Sequence, residues 1–269
     1  MRVVGEVNAQ HRVCRVRINA TNDFCRRWSI LVHRSITGGG ACSKQRISPA
    51  VLEAWIKSGA ELRRIGQNEH GELLVRDVPA SGEILGLPAF LIKRPTRKQL
   101  QALPEPGVPF GLILEGHTAE DGGVRMVDIE RFKSARFLRT NSETITIVDE
   151  DLSSLAKLNG LEHLEFGSIG ATTPAGWKSL SKLENLRSLC LSTRGSAMIM
   201  ALKEASRLPH LSSFSNGTLG GTTNPEMAAI AELSQLTSVR ISHGGMTVDG
   251  MWHLKKLPCL VLCHSLIVG

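Results

Sequence analysis

The sequence predicts an α/β solenoid, with short parallel strands on a concave face, short helices on a convex face, and a small α+β cap in front. Three observations carry that prediction. First, large apolar residues recur at Leu155, Leu180, Ala205, Ile230 and Leu254, in steps of 25, 25, 25 and 24 residues. Second, two further columns keep the same step, one at Leu161, Leu186, Leu211, Leu236 and Leu260, the other at Leu152, Trp177, Leu202, Met227 and Met251. Third, the spacing changes within each unit, from an apolar residue at every third or fourth position to strict alternation. A unit of that length, with one helical and one extended segment, is too small to bury its own apolar face. Stacking neighbours buries one continuous core, so the period dictates a protein built by addition.

Overlaid, the units read LSSLAKLNGLEHLEF (152–166), WKSLSKLENLRSLCL (177–191), LKEASRLPHLSSFSN (202–216), MAAIAELSQLTSVRI (227–241) and MWHLKKLPCLVLCHS (251–265). The leading part of each keeps helical spacing. The closing part, such as Leu189-x-Leu191 or Val239-x-Ile241, sends alternate side chains to opposite faces of a sheet. Ahead of the helical parts stand Val148-Asp149-Glu150-Asp151-Leu152, Thr173-Pro174-Ala175-Gly176-Trp177 and Thr247-Val248-Asp249-Gly250-Met251. Acidic residues there suit the free N–H groups and positive dipole end of a helix, and Pro lacks a donor where none is used.

On these residues the pattern resembles the leucine-rich repeat, in its short bacterial form with a Thr-x-Asp-x-Leu-like helix start. The resemblance covers residues 146–269 and implies a right-handed solenoid that recognises another protein or a peptide through its concave sheet, without catalysis. Two departures stand out. No Asn recurs at the turn after the strand, where many such repeats carry a hydrogen-bonded ladder. Asn216 and Ser265 take strand positions that are apolar elsewhere, which predicts loose packing of the third and fifth units.

Upstream, residues 96–145 read as degenerate repeats. Phe110-x-Leu112-x-Leu114 forms a strand, and Val124, Val127, Phe132, Ala135 and Leu138 supply one irregular helix and strand. Residues 47–95 read as the cap. Ser48-Pro49 opens a helix with Val51, Leu52, Trp55 and Ile56 on one face, and Gly59 ends it. A hairpin follows, with Ala60–Ile65 and Glu72–Arg76 flanking Asn68-Glu69-His70-Gly71. Thr96 then caps a short helix over 97–103.

The net charge of +7 belongs to residues 1–46, which hold nine basic against two acidic side chains, while the rest of the chain balances 23 against 23. That segment reads as a basic, disordered extension. Its Ile30-Leu31-Val32 run is cut by His33 and Arg34, so it makes no convincing secretory signal, and a cytoplasmic location is expected. No stretch is long and apolar enough to span a membrane. Because the repeat body is neutral, the basic arm alone speaks for nucleic-acid contact, and the balance of the sequence speaks against it.

The chemistry-bearing residues are few. Cys14, Cys25, Cys42, Cys190, Cys259 and Cys263 fall at no disulfide-framework spacing. Cys259-x-x-x-Cys263-His264 lacks a second ligand pair at zinc spacing, and no metal or cofactor is expected. Stacking the strands places two outward columns on the concave face. One runs His163, Ser188, Ser213, Ser238 and Leu262, the other Glu165, Cys190, Ser215, Arg240 and His264. Strands lie about 4.8 Å apart, so Cys190 has Glu165 and His163 nearby, the residue types of a thiol nucleophile with its base. An open sheet without an oxyanion hole fits a binding surface better. His163, Glu165, Ser188, Cys190, Ser213, Ser215, Ser238, Arg240 and His264 are the candidate binding residues for a protein or peptide. Self-association through an uncapped last repeat stays open beside that reading.

Overall fold

Alternation fixes which side of each strand meets the helices, and the sheet gathers one such strand from every unit. The computed structural model describes residues 47–68, 73–79, 86–116, 123–141, 145–217, 221–260 and 262–267, with 242–244 and 262–267 described in their backbone alone. The expectation for residues 1–46 therefore lies outside the described residues, as does the tip of the hairpin at 69–72.

The chain begins with helix α1 (Pro49–Lys57), the hairpin β1 (Glu61–Gln67) and β2 (Leu73–Asp77), and strand β3 (Leu87–Lys93). Helix α2 (Arg97–Ala102), β4 (Phe110–Glu115), α3 (Met126–Ile129) and β5 (Ala135–Thr140) follow. The regular units then supply β6 (Thr146–Ile147), α4 (Asp149–Leu155), β7 (His163–Phe166), β8 (Ser168–Ile169), α5 (Pro174–Trp177), β9 (Ser188–Leu191), α6 (Ser196–Ala205) and β10 (Ser213–Asn216). The last elements are β11 (Thr222–Thr223), α7 (Asn224–Ile230), β12 (Ser238–Gly245), α8 (Val248–Trp252) and β13 (Leu262–Ile267).

The main sheet runs β2-β1-β3-β4-β5-β7-β9-β10-β12, with β11 and β13 also paired to β12. From β3 onward every pairing is parallel, whereas β1 runs antiparallel to both its neighbours. The sheet curls with the helices on its outer side, the stacked sheet-and-helix architecture that the period predicts. Its helices are only one to three turns long and would not persist alone in water. The three apolar columns hold them. Leu152, Leu155, Leu161, Trp177, Leu180, Leu186, Leu202, Ala205, Leu211, Met227, Ile230 and Leu236 are all at most 1% exposed. In the last unit Leu254 is 8% exposed, and Met251 and Leu260 are partly buried.

The leading part of the core is aromatic. Trp55 stacks on Phe90 with ring centroids 4.2 Å apart, meets Phe110 and Phe132 at an angle, and donates its indole N–H to Pro104 O at 2.9 Å. Ser48 caps α1 by accepting from Val51 N–H, and Thr96 and Gln99 cap α2 reciprocally. Strand β3, which the cap reading leaves unassigned, lies between the hairpin and the first repeat strand and joins them into one sheet.

A polar ladder does run between units, at the helix starts. In three units an acid in the first turn caps its own helix and reaches back to the previous unit. Asp128 accepts from Arg125 N–H and from Arg97 and Gln101. Asp151 accepts from Val148 N–H, Met126 N–H and Arg125 Nε. Glu226 accepts from Thr223 N–H and Gly195 N–H. Two of these same helix starts, those of α4 and α7, also reach forward to the next unit. Asp149 accepts from Thr173 N–H and Oγ1, and Asn224 accepts from Thr247 N–H while donating to its Oγ1. The receiving helices carry glycine where the acid would stand. A Cβ at Gly176 would lie 1.9 Å from Asp149 Oδ1, and one at Gly250 would lie 2.2 Å from Asn224 Oδ1. The short helix and the incoming side chain therefore compete for one volume.

Asn216 corrects the expectation of a loose third unit. It points into the core at 3% exposure, and its amide donates to the Thr222 hydroxyl at 3.1 Å. Phe214, Leu211 and Met198 of the same unit are fully buried. A buried amide is tolerated because a hydroxyl six residues later meets it, the usual condition for a polar group inside a core. Ser265 lies among the residues described in backbone alone, so the same question for the fifth unit falls outside the described side chains.

Candidate binding face

Alternate residues of β5, β7, β9, β10 and β12 turn away from the helices, and the strand register lines them up in two columns. The first is Phe137, His163, Ser188, Ser213, Ser238 and Leu262; the second is Arg139, Glu165, Cys190, Ser215, Arg240 and His264. Both columns have the composition expected from the period. His264 sits in register at the end of the second, with its side chain outside the described set.

The columns extend further toward the N-terminus than the repeat pattern indicates, and their character changes there. Ala89, Leu91, Ile113 and Phe137 point to the same concave side and are buried together with Ile65, while Leu73, Val75 and Leu87 pack against them. This second core fills the concave side beside β3, β4 and β5. Gly111 is part of the fit, since a Cβ there would lie 2.5 Å from Ile65 Cδ1 and 3.0 Å from Ala89 Cβ. The sequence signal for it is the nearly unbroken apolar run in Leu87–Ile92 and Phe110–Leu114, which marks strands buried on both faces. Reading Phe110-x-Leu112-x-Leu114 as simple alternation overlooks Ile113.

Among the described residues, the concave face is thus open from β7 onward. Its near wall is Phe137 with the His163 ring 6.3 Å away and the Arg139 guanidinium 5.4 Å over the Phe137 ring. Arg139 Nε also donates to Glu165 at 2.7 Å, so the carboxylate has a fixed cationic partner. Beyond that wall the floor is small and partly exposed: Ser188, Cys190, Ser213, Ser215 and Ser238. Arg240 stands at the far side, where burial lowers the pKa of its guanidinium.

The thiol-nucleophile arrangement does not come together electronically. Burial and the neighbouring Glu165 charge push the Cys190 thiol up to about 12, against smaller opposing effects of a Ser215 hydrogen bond and Arg139. A nucleophilic cysteine needs the opposite shift. Burial, with Arg187 adding repulsion, lowers His163 to about 4, so its ring is neutral near pH 7. Its Nδ1 is buried without a hydrogen-bond partner among the described residues. Glu165 is engaged by Arg139 rather than by His163. Cys259 is an exposed free thiol before β13, and among the described residues no group of three His, Cys, Asp or Glu side chains is placed to hold a metal. No helix among the described residues is long and apolar enough to cross a membrane.

No protein-family model matches the chain, and no curated protein matches it. Among solved structures it is similar to an internalin (inlF) from Listeria monocytogenes, with a TM-score of 0.35 and 15% identity over 66% of this chain and 66% of that one. It is also similar to internalin C2 from the same organism, with a TM-score of 0.36 and 16% identity over 82% of this chain and 87% of that one.

Proposed function

We propose that this protein is a non-catalytic repeat module that binds another protein or a peptide on the concave face between β7 and β12. The observation that carries this reading is the floor formed by Ser188, Cys190, Ser213, Ser215 and Ser238, set between the Phe137–His163 wall and Arg240. The second core fills the concave side up to that wall, so the accessible surface begins where the side chains become small. Four strands at about 4.8 Å spacing give a strip roughly 14 Å across, wide enough for a few residues of a partner chain. The floor offers hydroxyl groups and no aromatic side chain, so the partner supplies the bulky anchors that dominate protein recognition. Arg139, Glu165 and Arg240 supply polar contacts at the margins. The protonated thiol of Cys190 supports a binding role over a nucleophilic one.

The test is differential capture. The intact protein and a Glu165→Lys/Arg240→Glu variant, matched by circular dichroism, are used as bait for proteins from the same cell extract. The reading expects a partner recovered by the intact bait and lost with the variant. Equal recovery by both folded baits would overturn it.

A further inference from the structure

We draw no further inference here: the strongest candidate, the apolar surface patch that exposed Val248 and Trp252 form on α8 at the last helix of the array, carries nothing because no feature of the structure shows what covers it.

Discussion

Strands β4 and β9 both pair in parallel on either side and both bury alternate residues against the helices, Phe110, Leu112 and Leu114 in one and Leu189 and Leu191 in the other, yet their concave sides differ completely. In β4, Gly111 and Ile113 are covered by Ile65 and the apolar residues of the hairpin, and a second core results. In β9, Ser188 and Cys190 remain partly exposed with small neighbours on β10. The parallel pairing is shared, so the difference lies in the side chains the strands present and in the hairpin residues that pack over β4. The N-terminal half gains stability on both faces of its sheet. The C-terminal half keeps small, partly exposed side chains on its concave face, the surface on which the proposed binding rests.

Substitutions on the two halves should therefore have very different costs. Phe137→Ala, at the edge of the second core, is expected to destabilise the protein by about 3–5 kcal/mol in chemical denaturation. A loss below about 1 kcal/mol would mean that the second core contributes little. Gly176→Ala comes next. Alanine ordinarily favours a helix over glycine, but here its methyl displaces Asp149 from Thr173, and a net loss of about 1–2 kcal/mol is expected. Asp149→Ala in the same chain should absorb most of that loss, and strictly additive effects would contradict the competition for space.

Stability should respond to pH through His163, in the wall beside the floor. Its folded pKa of about 4 lies below the ordinary value of 6.5. The unfolded chain therefore binds the extra proton first, and stability is lost as pH falls from about 6.5 toward 4. His163→Gln should flatten that part of the stability profile, and an unchanged slope would show that another group sets it. Cys190 should resist alkylation from pH 7 to 9 while exposed Cys259 reacts, as peptide mapping by mass spectrometry would reveal. Rapid modification of Cys190 at neutral pH would instead reopen the nucleophile reading. The smallest effect belongs to Ser213→Ala, which should change stability by no more than about 0.5 kcal/mol.

Much of this contrast can be read from the chain, because a fixed period converts one-dimensional spacing into three-dimensional columns. The register of His163 with Ser188 and Ser213, and of Glu165 with Cys190 and Ser215, follows directly from the repeat. What the repeat does not encode is any contact between side chains of unequal phase. The backward reach of Asp151 to Met126 N–H depends on how far one helix start is offset from the next. The pairing of Asn216 with Thr222 joins a strand position to a helix entry, two different phases of the repeat. Strand β3 and the second core lie ahead of the period, where continuous apolar runs rather than columns carry the information. The electrostatic state of Cys190 depends on burial by its neighbours, which residue type and spacing alone leave open.

The most direct test of the account uses the partner recovered by differential capture and measures its affinity for two tryptophan variants by calorimetry. Ser213→Trp fills the concave floor, and Lys203→Trp places the same bulk on the exposed face of α6. The account predicts that Ser213→Trp weakens binding by at least about tenfold, some 1.4 kcal/mol, while Lys203→Trp leaves it unchanged. Unchanged affinity for Ser213→Trp, or a loss confined to Lys203→Trp, would place recognition on the helical side and contradict the account.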